Sequence, residues 1–273
     1  MIYSVMRIVI KYCSMLVITA IVLLSKSTIA QQNNYQLSAH PFKSGEKVTY
    51  RAVYNWGFIW INAGDVVFTV KDTIYSGIDS YYLKSYGWSL KQYDWIFKVR
   101  DKFESIVNKD SLKPFWFIRD TYEGGNVVFN RYDFDYNSSK LVINSFTSDR
   151  PSKQEIITLK PNTYDVLSAI YFCRNINFEQ LSIDQKIPLT MAIDNEVFNL
   201  YIRYLGRETI TLHGGMTYST FKFSAMLVKG TIFKGGEDLF VWVTDDKYHI
   251  PVLIEAKILV GSVKAILVGI EGY

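Results

Sequence analysis

Cysteine is nearly missing from this 273-residue chain. The two present are Cys13 and Cys173. Cys13 falls in a stretch that reads as a leader, so a mature chain would keep one thiol and no internal disulfide. Histidine is as sparse. His40, His213 and His249 stand far apart, none at finger-type or helical spacing from another histidine or from Cys173, and no metal site is expected. Runs of lysine and arginine are missing too. The 30 basic residues include Arg7, Lys11 and Lys26 of the leader; the 27 that remain face 26 acidic ones, a net charge of +1. Neither the electrostatic footprint of a nucleic-acid binder nor a polybasic cluster for anionic lipid is there.

Catalytic signatures are equally scarce. The nearest approach to a nucleophile elbow, Gly87-Trp88-Ser89-Leu90-Lys91, lacks the second glycine. Cys173 has no neighbouring base and belongs to an apolar face, which predicts a buried, inert thiol. The acid pairs Glu237/Asp238 and Asp245/Asp246 sit in turn-like sequence, where Asp serves the backbone. Asp133 and Asp135 alternate with Tyr132, Phe134 and Tyr136, which puts both acids on the wet face of a strand rather than across a scissile bond. No glycine-rich loop leads into a helix, so neither a nucleotide nor any other cofactor is implied. The chain reads as a non-enzyme, with a hydrolase built on Asp245, Asp246 or His249 as the residual alternative.

What is present begins at the N-terminus. Arg7 and Lys11 precede an apolar run over 12–24, and Thr28-Ile29-Ala30 supplies small residues before Gln31. Residues 1–30 are therefore expected to be a cleaved signal peptide. The run is shorter than the roughly 20 residues of a span, so the mature protein is expected in the periplasm and not in the membrane as an integral protein. Residues 31–44 read as a loose arm and 45–273 as one β-rich domain, with no linker or repeat to divide it.

Period-two alternation dominates that domain. Val48, Tyr50, Ala52, Tyr54, Trp56, Phe58 and Trp60 share one parity, followed by Val66, Phe68 and Val70. From Gln92, the residues Tyr93, Trp95, Phe97, Val99 and Phe103 alternate with polar ones, which predicts a long strand wet on one side. Further strands are expected at 116–122, 127–136, 141–146, 155–159, 197–206, 209–212, 218–228, 239–244, 252–259 and 263–270, joined by turns such as Gly124-Gly125, Gly214-Gly215 and Gly235-Gly236. One helix is expected, at 164–174, with Thr163 or Asp165 as its N-cap. The pattern predicts a mainly β fold: a large, strongly curved antiparallel meander, open or closed like a barrel, with one short helix packed on it.

Aromatic residues are the remaining signal. The chain holds 6 Trp, 20 Tyr and 17 Phe. Trp56, Phe58, Trp60, Trp95, Phe97 and Trp116 are the candidate ligand-binding set, lining a concave sheet that would hold a lipid or other apolar small molecule. The competing reading is that such rings are the core that strand alternation demands.

Two stretches resemble a known family. Phe42-Lys43-Ser44-Gly45-Glu46-Lys47-Val48-Thr49-Tyr50, then Trp56, Ile61, Ala63 and Gly64, is similar to the opening pattern of the exported domain-of-unknown-function family 3108. Val241-Trp242-Val243-Thr244-Asp245-Asp246, Ile250-Pro251-Val252 and Gly261-Ser262-Val263-Lys264-Ala265 resemble its closing pattern, and Tyr164-Asp165, Ser168-Ala169 and Arg174 an intermediate one. The resemblance covers nearly all of 42–273 and implies a single β-rich envelope protein of Gram-negative bacteria. It carries no catalytic residues. The functional expectation is an exported carrier of a lipophilic ligand, or alternatively a structural or assembly factor acting on an envelope protein partner.

Overall fold

The computed structural model describes residues 40–56, 58–227, 236–257 and 261–272. The expected signal peptide and most of the arm lie outside them. The described residues form one sheet of fifteen strands: β1 (Lys47–Trp56), β2 (Ile59–Tyr75), β3 (Ile78–Ser89), β4 (Val99–Asn108), β5 (Pro114–Glu123), β6 (Asn126–Asp135), β7 (Lys140–Thr147), β8 (Arg150–Thr158), β9 (Thr163–Tyr164), β10 (Lys186–Ile193), β11 (Glu196–Thr211), β12 (Thr217–Leu227), β13 (Gly236–Thr244), β14 (Pro251–Lys257) and β15 (Ser262–Glu271). Spatial order follows the chain from β8 back to β1, crosses to β15, and descends to β9. All neighbours are antiparallel except β9 and β10. The sheet is an open, barrel-like meander. Its two edges, β8 and β9, are consecutive in sequence but share no ladder.

The helix α2 (Val166–Arg174) follows a shorter one, α1 (Asp94–Phe97). Asp165 caps α2: its carboxylate accepts from the Leu167 and Ser168 backbones, and the Ser168 hydroxyl closes a capping box. The helix packs on β3, β4 and β10. Leu167, with Leu83, Val107, Leu141 and Ile143, is wholly sequestered in the concave face, beside Phe103, Phe117, Tyr132 and Tyr171.

Four expectations need correction. The strand expected from Gln92 starts at Val99 instead. Residues Lys91–Phe97 wind into a 3-10 turn and α1, held because the Asp94 carboxylate accepts two N–H groups of Arg100 and the Ser89 hydroxyl. The described residues accordingly hold two α-helices, not one. The arm is anchored where it is described: Phe42 is buried, and His40 sits between the Asn175 side chain and the Lys109 carbonyl. Strands β3, β9 and β10 were not expected at all.

Candidate functional site

Consecutive hairpins of a meander place the β1–β2, β3–β4 and β5–β6 connections at the same end of the sheet. That end carries most of the candidate aromatics. Phe58, in the β1–β2 turn, is 95% exposed; Trp60 is 47% and Trp95 69% exposed. Trp60 stacks on His213 at 5.9 Å, with Lys264 Nζ 5.1 Å from its centroid. Trp95 donates its indole N–H to the Gln92 carbonyl. Phe97 lies half-buried against Gly124, whose backbone is left-handed and has no room for a Cβ. Trp56 ends β1, and its side chain lies outside the described residues.

Trp60 misses the concave face for a specific reason. Ala52 pairs with Gly64 but Val53 pairs with Asn62, so Ala63 is an extra residue in β2. One bulged residue reverses the alternation beyond it. Tyr54 and Ile61 then take the inner side, while Asn55 and Trp60 turn outward. Trp95 is turned out by α1, and Trp116 belongs to the outer face, where the Arg131 guanidinium lies 5.5 Å from its ring. Trp60, Trp95 and Trp116 therefore do not line the concave side; Tyr50, Phe68, Phe103, Phe117, Tyr132 and Tyr171 do.

Further rings face outward on β3 and β5. Below the rim, Tyr86 stacks on Trp88 at 5.4 Å on the outer face of β3. Trp88 pairs across the sheet with Arg100, and Arg100 with Tyr122, over which Lys98 is poised. Tyr86, Tyr122 and Lys98 were missed by sequence reasoning, because β3 carries aromatics outside and Ser85, Gly87 and Ser89 inside.

Groups with chemical potential are engaged elsewhere. Burial pushes the Cys173 thiol up to about 12, which leaves it inert at neutral pH. Asp245 pairs with Arg207, Asp246 caps the turn through the Tyr248 and His249 backbones, and His249 Nδ1 lies 2.8 Å from the Arg174 carbonyl. Asp133 pairs with Arg131 on the outer face. Among the described residues, no three His, Cys, Asp or Glu side chains group as metal ligands, and no helix is long and apolar enough to cross a membrane.

One buried node joins distant parts of the chain. The Arg174 guanidinium donates to both oxygens of Glu46, at 2.6 and 2.9 Å, and to the carbonyls of Tyr248 and Pro41. It also faces the Phe42 and Tyr171 rings, while the Tyr50 hydroxyl donates to the Pro251 carbonyl at 2.9 Å. Burial opposes the charge on Arg174, but its bonds to Glu46 hold its pKa above the ordinary value. The opening, middle and closing stretches that resemble a family thus converge on one ion pair. The family model described as "Protein of unknown function (DUF3108)" matches residues 49–268.

The chain belongs to this family. Within it, the node has a structural part to play: it ties the start of the domain, the helix and the β13–β14 connection together. A solved structure titled a β-barrel-like protein of domain of unknown function DUF1849, from Brucella abortus, is similar, with a TM-score of 0.54 at 10% identity, covering 84% of this chain and 97% of that one. At that identity the likeness is one of fold. Comparison with curated proteins finds no match.

Proposed function

We propose that this DUF3108 protein is an exported, non-enzymatic protein of the periplasm that recognises lipid-like apolar surfaces through its aromatic rim. The observation that carries the reading is the exposure of Phe58, Trp60 and Trp95 together at one end of the sheet. Large apolar rings grouped in water are costly and mark interaction sites. Tryptophan interleaved with lysine suits a boundary between water and acyl chains, where the ring is buried and the ammonium stays wet. Recognition at the rim, rather than in the concave face, is favoured because the concave side chains already fill one another's contacts.

The test is titration of the mature protein with phosphatidylcholine and phosphatidylglycerol vesicles, read by tryptophan emission and co-sedimentation. A blue shift lost in a Phe58→Ser, Trp60→Ser, Trp95→Ser variant of unchanged stability supports the reading. Unshifted emission and no pelleting with either vesicle overturns it. Cell fractionation with N-terminal sequencing tests export, for which a start at Gln31 is expected. A protein partner in the envelope is the second reading. It is favoured by the outer-face grouping of Tyr82, Trp116 and Arg131, residue types that dominate interface hot spots.

A further inference from the structure

Among the described residues, strand β8 pairs on one side only, with β7. Every residue from Arg150 to Gln154 is exposed, and Ile156 is 61% exposed on the outer face. The Leu159 N–H donates to the Ser139 carbonyl, which fixes the parity of the β7–β8 ladder. In an antiparallel pair, residues directly opposite alternate between those that exchange backbone bonds and those whose backbone groups turn away. With 139/159 bonded and the register Leu141↔Ile157, Ile143↔Glu155 and Ser145↔Lys153, the odd positions bond β7. Gln154, Ile156 and Thr158 then aim their N–H and C=O groups at the open side. Pro151 lies at the irregularity between Ser145 and Thr147, so its missing N–H does not interrupt the free run.

We infer that β8 pairs with β8 of a second copy, antiparallel about a two-fold axis at Gln154. The side chains select this register. Centred on Gln154, the pairing sets Lys153 opposite the copy's Glu155, and Glu155 opposite its Lys153. Lys153 and Glu155 already touch at 2.6 Å within one strand, so the axis would gather four alternating charges. Centring the axis on Lys153 or on Glu155 instead opposes like charges, which is destabilising. Gln154 is also the middle of Arg150–Thr158, so this register alone pairs the strand over its full length. It covers Ile156 with the copy's Ser152. The result is an isologous dimer that joins two sheets into one and removes an edge that would otherwise invite uncontrolled pairing.

Sedimentation-velocity runs on the mature protein over a hundredfold concentration range, with circular dichroism as a check on folding, test the inference. The wild type is expected to dimerise. K153E and Gln154→Pro should each weaken the dimer at least tenfold, and the charge swap K153E/E155K should restore it. Gln154→Pro removes an outward N–H and the side-chain bond to Asn144, while the backbone bonds to β7 belong to the odd-numbered positions. A wild type that stays monomeric throughout overturns the inference. So does a dimer that K153E and Gln154→Pro leave unchanged, since it would form through another surface. The vesicle assay reads Phe58, Trp60 and Trp95, none of which belongs to β8, so either idea can fail alone.

Discussion

Arg174 and Glu46 are 128 residues apart in sequence and meet through two parallel N–H···O bonds with both side chains almost wholly out of water. Such a pair is worth little compared with an apolar replacement, but breaking one half strands a buried charge at a cost of about 3–5 kcal/mol. Arg174→Met and Glu46→Leu should each lose stability on that scale in urea unfolding. The double variant should lose less than the two losses summed, because neither charge is then left alone.

Asp165 gives a pH signature. Burial pushes its carboxyl up to about 6, against the Ser105 hydroxyl and the Ser168 and Leu167 N–H groups that favour ionisation. The folded state therefore holds this proton more tightly than the unfolded state, where the ordinary value is 3.8. Its contribution is fully present below about pH 4, declines as pH rises to about 6, and is flat above that. Asn caps a helix as well as Asp, so Asp165→Asn should keep α2. The stability of the wild type relative to this variant should fall by about 2–3 kcal/mol between pH 4 and 6. A difference independent of pH would refute the assignment.

At Gly124 a side chain has no place. The backbone angle φ is +59° and the Phe97 ring occupies the position of a Cβ. Gly124→Ala should cost about 1–3 kcal/mol from strain and overlap together. Removing the ring with Phe97→Ala should recover the overlap part only, so the two substitutions should not add in denaturant melts.

Rim and core aromatics should respond differently. Phe178 stacks on Phe221 and Phe223 at 5.4 and 5.5 Å and is fully buried. Phe178→Ala is expected to cost about 3–5 kcal/mol. Trp95→Ala, at an exposed position, should stay within about 0.5 kcal/mol of the wild type. If Trp95→Ala destabilised as much as Phe178→Ala, the rim would be core and not a recognition surface.

Much of the fold was legible because alternation and turns are local. The inner residues Val48, Tyr50, Val66, Phe68 and Val70 could be read as a face, and the cap of α2 could be narrowed to Thr163 or Asp165, of which Asp165 is the one. What escaped depends on single residues whose effect is not local. Phe58 and Trp60 continue the parity of Tyr54 and Trp56 in sequence, but the turn between β1 and β2 and the extra Ala63 send Trp60 to the other side. Strand β3 hid because Ser85, Gly87 and Ser89 occupy its inner positions while Tyr86 and Trp88 face out. Pro188 obscured β10, whose pairing with β11 runs straight through it. The aromatic candidates were chosen by composition; their placement was decided by a bulge and by one carboxylate, Asp94, that bends the chain after β3.

The ladder between β1 and β15 also sets an order of events. The first strand of the domain has its second neighbour only when the last strand arrives, Tyr50 beside Leu267 and Ala52 beside Ala265. Such closure is the most non-local contact the chain can make, and non-local contacts form slowly. Until it forms, β1 presents bare backbone groups beside Tyr50 and Tyr54, in the middle of the future sheet. A product truncated before Ser262 would carry that surface permanently, and the centre of the finished fold would become its most adhesive part.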